Sequence, residues 1–280
     1  MSDLHDARRT HPTRDTGADM GNPGNPVDQG DQGDQVDQAL DLSQARFAIY
    51  YAPPAGSCWW NEGSRWLGCD AITGRRLDAP QVPGLSRALH DLTVDARRYG
   101  WHATLKAPMR LAPHVQRRDL SGVAAAVAAR HAPFDLPMRI DVMGTDHGTR
   151  HGFVTLRPVG ETVGAKAVDA LAADCVQAFD NLRAPPSGDE LAKRHAQPLT
   201  ARQRERLAQW GYPYVLDEFR LHMTLSDRVD ASDAAAIVDW WQPRVQALGP
   251  MRVDGLALFV QPSPGQPFIM HERFDFAEVA

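Results

Sequence analysis

One short pattern occurs twice in this chain, and it limits the fold more than anything else in the sequence. Trp101-His102-Ala103-Thr104-Leu105-Lys106 and Leu221-His222-Met223-Thr224-Leu225-Ser226 both read His-x-Thr-Leu, with their histidines 120 positions apart. Each lies in a run that reads as a strand. In a strand, residues i and i+2 share a face. His102 therefore stands beside Thr104 and His222 beside Thr224, while the leucines point the other way, into a core. If the two strands meet, two imidazoles and two hydroxyls converge on one cleft. Such a group takes a proton, gives a proton and holds an anionic oxygen.

The surroundings of the two motifs match as well. In each half the motif strand is followed by a helix and then by two strands. The first half has a helix over 117–130, with Leu120, Val123 and Val127 at helical spacing, then strands over 136–142 and 152–156. The second has a helix over 233–248 capped by Ser232, then strands over 251–260 and 267–274. A helix over 161–182 and another over 201–209, capped by Thr200 and stopped by Gly211, fill the space between the halves. Arg46 to Tyr51 is a strand, and the three tryptophans of 58–68 form a short helix packed on the core. A repeat this long is a duplication of a domain half, not a solenoid unit. The expected fold is α+β: two lobes, about 46–182 and 199–276, with antiparallel sheets lining a central cleft and helices outside.

The net charge of −5 comes from the tail. Residues 1–45 hold nine Asp and three Arg, a balance of −6, and the rest of the chain holds 27 basic and 26 acidic groups. The tail is poor in apolar residues and is expected to be disordered. A neutral body argues against a dedicated binder of long nucleic acid. Three widely spaced cysteines, Cys58, Cys69 and Cys175, suggest neither a disulfide framework nor a thiolate metal site. No segment has the length of a membrane span or the pattern of a signal peptide. The sequence reads as a cytoplasmic protein without cofactor or metal. His147 and His151, flanking the turn at 144–148, are read as surface residues.

Together the two motifs and their flanks resemble the 2H phosphoesterase superfamily. The flanks are Arg46-Phe47-Ala48-Ile49-Tyr50-Tyr51-Ala52-Pro53, Arg98-Tyr99-Gly100 before the first motif, Ala107-Pro108 after it, and Glu218-Phe219-Arg220 before the second. They are similar to the phosphonate-metabolism branch, DUF1045, over roughly residues 46–276. The resemblance implies catalytic roles for His102 and His222 and phosphate-holding roles for Thr104 and Thr224. It implies metal-independent chemistry at 2′,3′-cyclic phosphates and related 2′-phosphodiesters. Genes of this branch sit among those for carbon–phosphorus lyase, which implies a small ribose or nucleotide phosphate as substrate.

Six further residues are candidates for contact with the substrate. Lys106 shares the face of Thr104 if the strand stays regular that far. Arg220 shares the face of His222. Tyr50 and Tyr99 suit hydrogen bonding or base stacking, and Arg183 and Arg194 suit a clamp on a second phosphate. Other readings stand beside the small-substrate phosphodiesterase. One is an RNA 2′,3′-cyclic phosphodiesterase or 2′–5′ ligase. Another is a non-catalytic phosphate-binding module of a phosphonate-processing complex, and a third is a zinc enzyme.

Overall fold

The computed structural model describes residues 44–144 and 152–277. The acidic tail to residue 43 and the turn carrying His147 and His151 lie outside the described residues. Nine strands and seven α-helices follow in chain order among them. β1 (Arg46–Tyr51), α1 (Cys58–Leu67), α2 (Val94–Tyr99) and β2 (Ala103–Met109) lead to α3 (Arg117–Ala128), β3 (Phe134–Leu136) and β4 (Met138–Met143). Then come β5 (Gly152–Pro158), α4 (Val163–Ala178), α5 (Gly188–His195), α6 (Ala201–Trp210) and β6 (Met223–Val229). α7 (Ala231–Leu248), β7 (Met251–Val253), β8 (Gly255–Gln261) and β9 (Ile269–Asp275) close the chain.

Seven strands form one antiparallel sheet in the order β4-β5-β6-β2-β1-β8-β9, and β3 pairs with β7 in a separate ribbon. The class is α+β, as expected, with helices against the sheet. The two motif strands are neighbours at its centre. Their single bridge joins Ala103 to Met223, the residues that follow the two histidines. The ribbon is centred on Asp135 opposite Arg252. Both pairings bring equivalent residues of the two halves face to face, so one local twofold axis relates them.

The sheet also shows how the duplication is built. β1-β2-β3-β4 and β5-β6-β7-β8 are the matching sets, and β9 is an added edge. The sheet thus divides the chain within 144–151, not in the 183–198 segment that separates the two expected lobes. Each set lends its last strand to the other: β4 pairs with β5, and β8 with β1. Sequence patterns report local periodicity, whereas these pairings are long-range, which is why the expected boundary falls elsewhere.

The helix-covered face carries the main core, including Phe47, Ile49, Leu105, Leu156, Met223, Leu225 and Leu258. α1 is amphipathic and buries Trp59, Trp60 and Trp66, and the Trp66 indole donates to the Leu225 carbonyl at 2.6 Å. Gly63 lets α1 approach Trp101: a Cβ there would lie 2.0 Å from the Trp101 ring. Trp101 in turn stacks on Trp241 of α7, with centroids 5.9 Å apart. The residue before His102 is thereby locked into the core. The opposite face holds a smaller cluster, with Ala48, Tyr50, Ala257, Phe259 and Phe268, beside the motif cleft. Two local expectations shift. α7 is capped by Asp230, whose side chain accepts from Asp233 N, and not by Ser232. Leu85-Ser86-Arg87-Ala88-Leu89 reads in the sequence as a helical turn, but the structure has a 3-10 turn over Leu89–Leu92, followed by α2.

Candidate active site

α2 ends at Gly100, which has φ +74°, and a Cβ there would come within 2.7 Å of the Ala71 Cβ. Only glycine makes this turn without strain. The turn exposes the Gly100 carbonyl to His102, whose Nδ1 lies 2.9 Å from it. Nδ1 carries the proton in that contact, so Nε2 is the free nitrogen, 3.2 Å from Thr104 Oγ1. The second motif repeats the device, with His222 Nδ1 2.9 Å from the Arg220 carbonyl. Both imidazoles therefore hold the same tautomer and turn the same nitrogen outward.

The Ala103–Met223 bridge fixes how the motifs face each other. In an antiparallel pair this register sets His102 across from Thr224 and His222 across from Thr104. Opposed side chains share a face with Cβ atoms about 4.5–5.5 Å apart. All four side chains line one cavity of about 260 Å³. β2 and β6 share only that one bridge, so the sheet opens at the motifs.

Tyr50 and Tyr99 line the same cavity. Tyr50 stacks on His102 with centroids 3.8 Å apart, and Tyr99 lies 6.1 Å from it. Tyr212, Arg46 and Arg194 complete the polar wall. Arg46 donates from Nε to Gln261 Oε1 at 2.7 Å, and its guanidinium lies 5.5 Å from the Phe268 ring. Arg194 sits 4.8 Å from the Tyr212 ring. Of these, sequence reasoning missed Arg46 and Tyr212, though Arg46 opens the very strand that carries Tyr50. Arg183 is not among the lining residues and bonds Asp180 at 3.1 Å.

Lys106 is a correction. It does not reach the cavity: it is 4% exposed, and its Nζ contacts the Val176 carbonyl at 3.0 Å and Asp180 at 3.3 Å. The cause is a β-bulge. Tyr50 faces Thr104, but Ile49 faces Lys106, so Leu105 is an extra residue in β2. The bulge breaks the alternation that would have kept Lys106 on the threonine face. Arg220 stands one step away from the histidines. Its guanidinium bonds the carbonyls of Asp217 at 3.0 Å and Phe219 at 2.6 Å, and it lines an adjoining cavity of about 560 Å³. That cavity shares Thr104, Ala107, Tyr212 and His222 with the first. A larger hollow, about 750 Å³, lies against Gly68 to Ala79, and neither histidine lines it.

Burial disfavours the imidazolium at both histidines. His102 is pushed down to about 4, by desolvation first, with the Gly100 carbonyl opposing and nearby His222 adding to the drop. His222 is also lowered, by burial first, with the Arg220 carbonyl opposing and Arg157 adding. Burial raises Tyr50 well above the ordinary tyrosine value, so its hydroxyl stays protonated. Among the described residues, no group of three or more His, Cys, Asp or Glu side chains is placed to hold a metal ion.

A duplicated antiparallel sheet that sets two His-Thr pairs across a local dyad defines the structural class. The chain belongs to the family described as a protein of unknown function, DUF1045, which matches residues 104–269. Two curated relatives are similar to it, both called ribose 1,5-bisphosphate phosphokinase PhnN. The one from Janthinobacterium sp. (strain Marseille) is 35% identical over 248 residues, covering 84% of this chain and 51% of the relative. The one from Laribacter hongkongensis (strain HLHK9) is 38% identical over 232 residues, covering 80% and 50%. The chain thus spans about half the length of these curated relatives. Among solved structures it is similar to E. coli LigT complexed with 3′-AMP, at 15% identity and TM-score 0.34, covering 84% of this chain and 99% of LigT. LigT in apo form gives 13% identity and TM-score 0.32, covering 84% and 98%.

Proposed function

We propose that this protein is a metal-independent phosphodiesterase that opens a small ribose or nucleotide phosphodiester, a cyclic one above all. One observation carries the reading. Two imidazoles with the same tautomer and two hydroxyls line one cavity, across a strand pair that sets each histidine opposite the other motif's threonine.

His102 is the base. Burial holds it neutral, and its Nε2 is the acceptor in its contact with the Thr104 hydroxyl. It takes a proton from water as the water oxygen bonds to phosphorus. The bond from phosphorus to the ribose oxygen breaks, and protonated His222 gives its Nε2 proton to that oxygen. Thr224 and Thr104 hydrogen-bond the non-bridging oxygens, and the bound anion favours the charged form of His222.

The relatives' name speaks of a phosphorylated ribose, which supports a substrate of that chemistry and a place in phosphonate metabolism. Their kinase activity belongs to proteins twice the matched length, and a pair of facing histidines suits diester cleavage instead. The three cysteines are free thiols, and no helix among the described residues is long and apolar enough to cross a membrane. Both facts accord with a cytoplasmic site of action.

The test is a turnover screen of purified protein against 2′,3′-cyclic nucleotides, ribose 1,2-cyclic phosphate and RNA with a cyclic end, with and without EDTA. Turnover should survive EDTA and fall by about 10²–10⁴ in H102A and in H222A. Full activity in the H102A/H222A double variant would refute the reading. Binding without turnover would make the protein a phosphate-binding module.

A further inference from the structure

The wall of the two-histidine cavity has an unusual charge composition. It contains two arginines and two histidines, and no carboxylate is among its lining residues. Several arginines elsewhere in the molecule sit against acids. Arg110 meets Glu190, Arg130 meets Asp174, Arg157 meets Asp141, Arg183 meets Asp180 and Arg206 meets Asp217, all within 4 Å. Arg46 and Arg194 have neutral partners instead: an amide and a phenyl ring for one, a phenol ring for the other. Among the described residues neither guanidinium is within salt-bridge distance of an acid. Arg46 spends only Nε on Gln261, so both terminal nitrogens remain as a planar fork, the geometry that grips a phosphate or carboxylate bidentately.

One phosphodiester carries a single negative charge, which the threonines and the histidine dyad already address. Arg46 and Tyr50 lie on the same strand four residues apart, about 13 Å from Cα to Cα. Tyr50 stacks on His102, so Arg46 is anchored well away from the imidazoles and reaches the cavity from the far end of β1. A long side chain covers part of that distance, and what remains is on the order of one sugar. Arg194 enters from α5, an element outside the sheet.

We infer that Arg46 and Arg194 form a second anion subsite, which selects phosphodiesters carrying a phosphomonoester one sugar away from the scissile phosphorus. The inference rests on the phosphodiesterase reading for its place in a reaction, but the subsite is an observable property by itself. A substrate of this class would come from a reaction that closes or transfers a phosphodiester on an already phosphorylated sugar. The product would carry two phosphomonoesters.

Two measurements test it. The first is calorimetric titration of the full chain with ribose 5-phosphate, a monoester probe that no hydrolysis is needed to read. Wild type should bind it, R46Q/R194Q should bind at least tenfold more weakly, and R252Q, a surface control paired with Asp135, should match wild type within twofold. R194Q, on a peripheral helix, serves alone if R46Q melts at a lower temperature than wild type. Failure of wild type to bind, or equal binding by wild type and R46Q/R194Q, overturns the subsite. The second compares kcat/KM for a nucleoside 2′,3′-cyclic phosphate with and without a 5′-phosphate. The phosphorylated compound should be favoured at least tenfold by wild type, and the preference should vanish in R46Q/R194Q. Equal rates on the two compounds overturn the selectivity. Arginine-dependent binding of ribose 5-phosphate with no turnover of either compound supports the subsite and overturns the phosphodiesterase reading instead.

Discussion

Replacing His102 by glutamine should change how stability responds to acid, and the size of the change follows from the burial of the ring. His102 titrates near 4 in the folded protein and near 6.5 in an unfolded chain. Between those values the unfolded state binds a proton that the folded state refuses. Its contribution to stability is therefore fully present above about pH 6.5 and is lost as pH falls toward 4. At pH 4 the folded ring is half protonated and the unfolded one almost wholly so, which costs about 3 kcal/mol relative to neutral pH. His222, also lowered, adds a loss of the same sign in wild type and variant alike, so the difference between the two isolates His102. The assay is urea unfolding followed by tryptophan fluorescence at pH 7.5 and pH 4.0, in phosphate-free buffer so that no anion favours the native state. Between these pH values wild type should lose about 3 kcal/mol more than H102Q, with similar denaturant slopes. Parallel stability curves would refute the claim that the fold holds this imidazole neutral.

The same shifts set the pH–rate profile. A base near 4 and an acid below 6.5 give a bell in kcat/KM whose maximum lies on the acid side of 6.5, falling about tenfold per unit on the alkaline limb; a maximum above pH 8 would refute these two imidazoles as the acid and base. Gly63→Ala forces a methyl group into the Trp101 ring, which Trp241 backs, so the variant should lose about 1–3 kcal/mol in chemical denaturation despite alanine's better helix propensity. Lys106→Met should leave kcat/KM within about threefold of wild type, because the ammonium lies outside the cavity and Asp180 keeps Arg183; a hundredfold rise in KM would put the lysine at the substrate.

What could be read from the sequence was what depends on short spacing. The His-x-Thr pairs, the leucines behind them, the cap at Thr200 and the stop at Gly211 are local chemistry, and the structure has Thr200 accepting from Gln203 N and Gly211 at φ +70°. Lys106 went astray because a bulge is decided by the partner strand, not by the strand's own alternation. Arg46 was passed over because nothing in its neighbourhood shows that Gln261, 215 residues away, will orient it toward the cleft. The three-residue strand β3 was missed and β7 was merged with β8 for the same reason, since β3 and β7 form a ribbon only through each other. The matching set of strands became visible only when β4 was seen beside β5 and β8 beside β1.

That reciprocal loan of strands has a consequence for how the molecule comes together. Neither half, expressed alone, has a complete layer on which to lay its helices, and each exposes an unpaired edge where the other's arm belongs. Two separate fragments would have to embrace before either became stable, and only then would the imidazoles meet. The proposed activity would thus appear at a single stage of assembly, the last one, with no half-built form able to act.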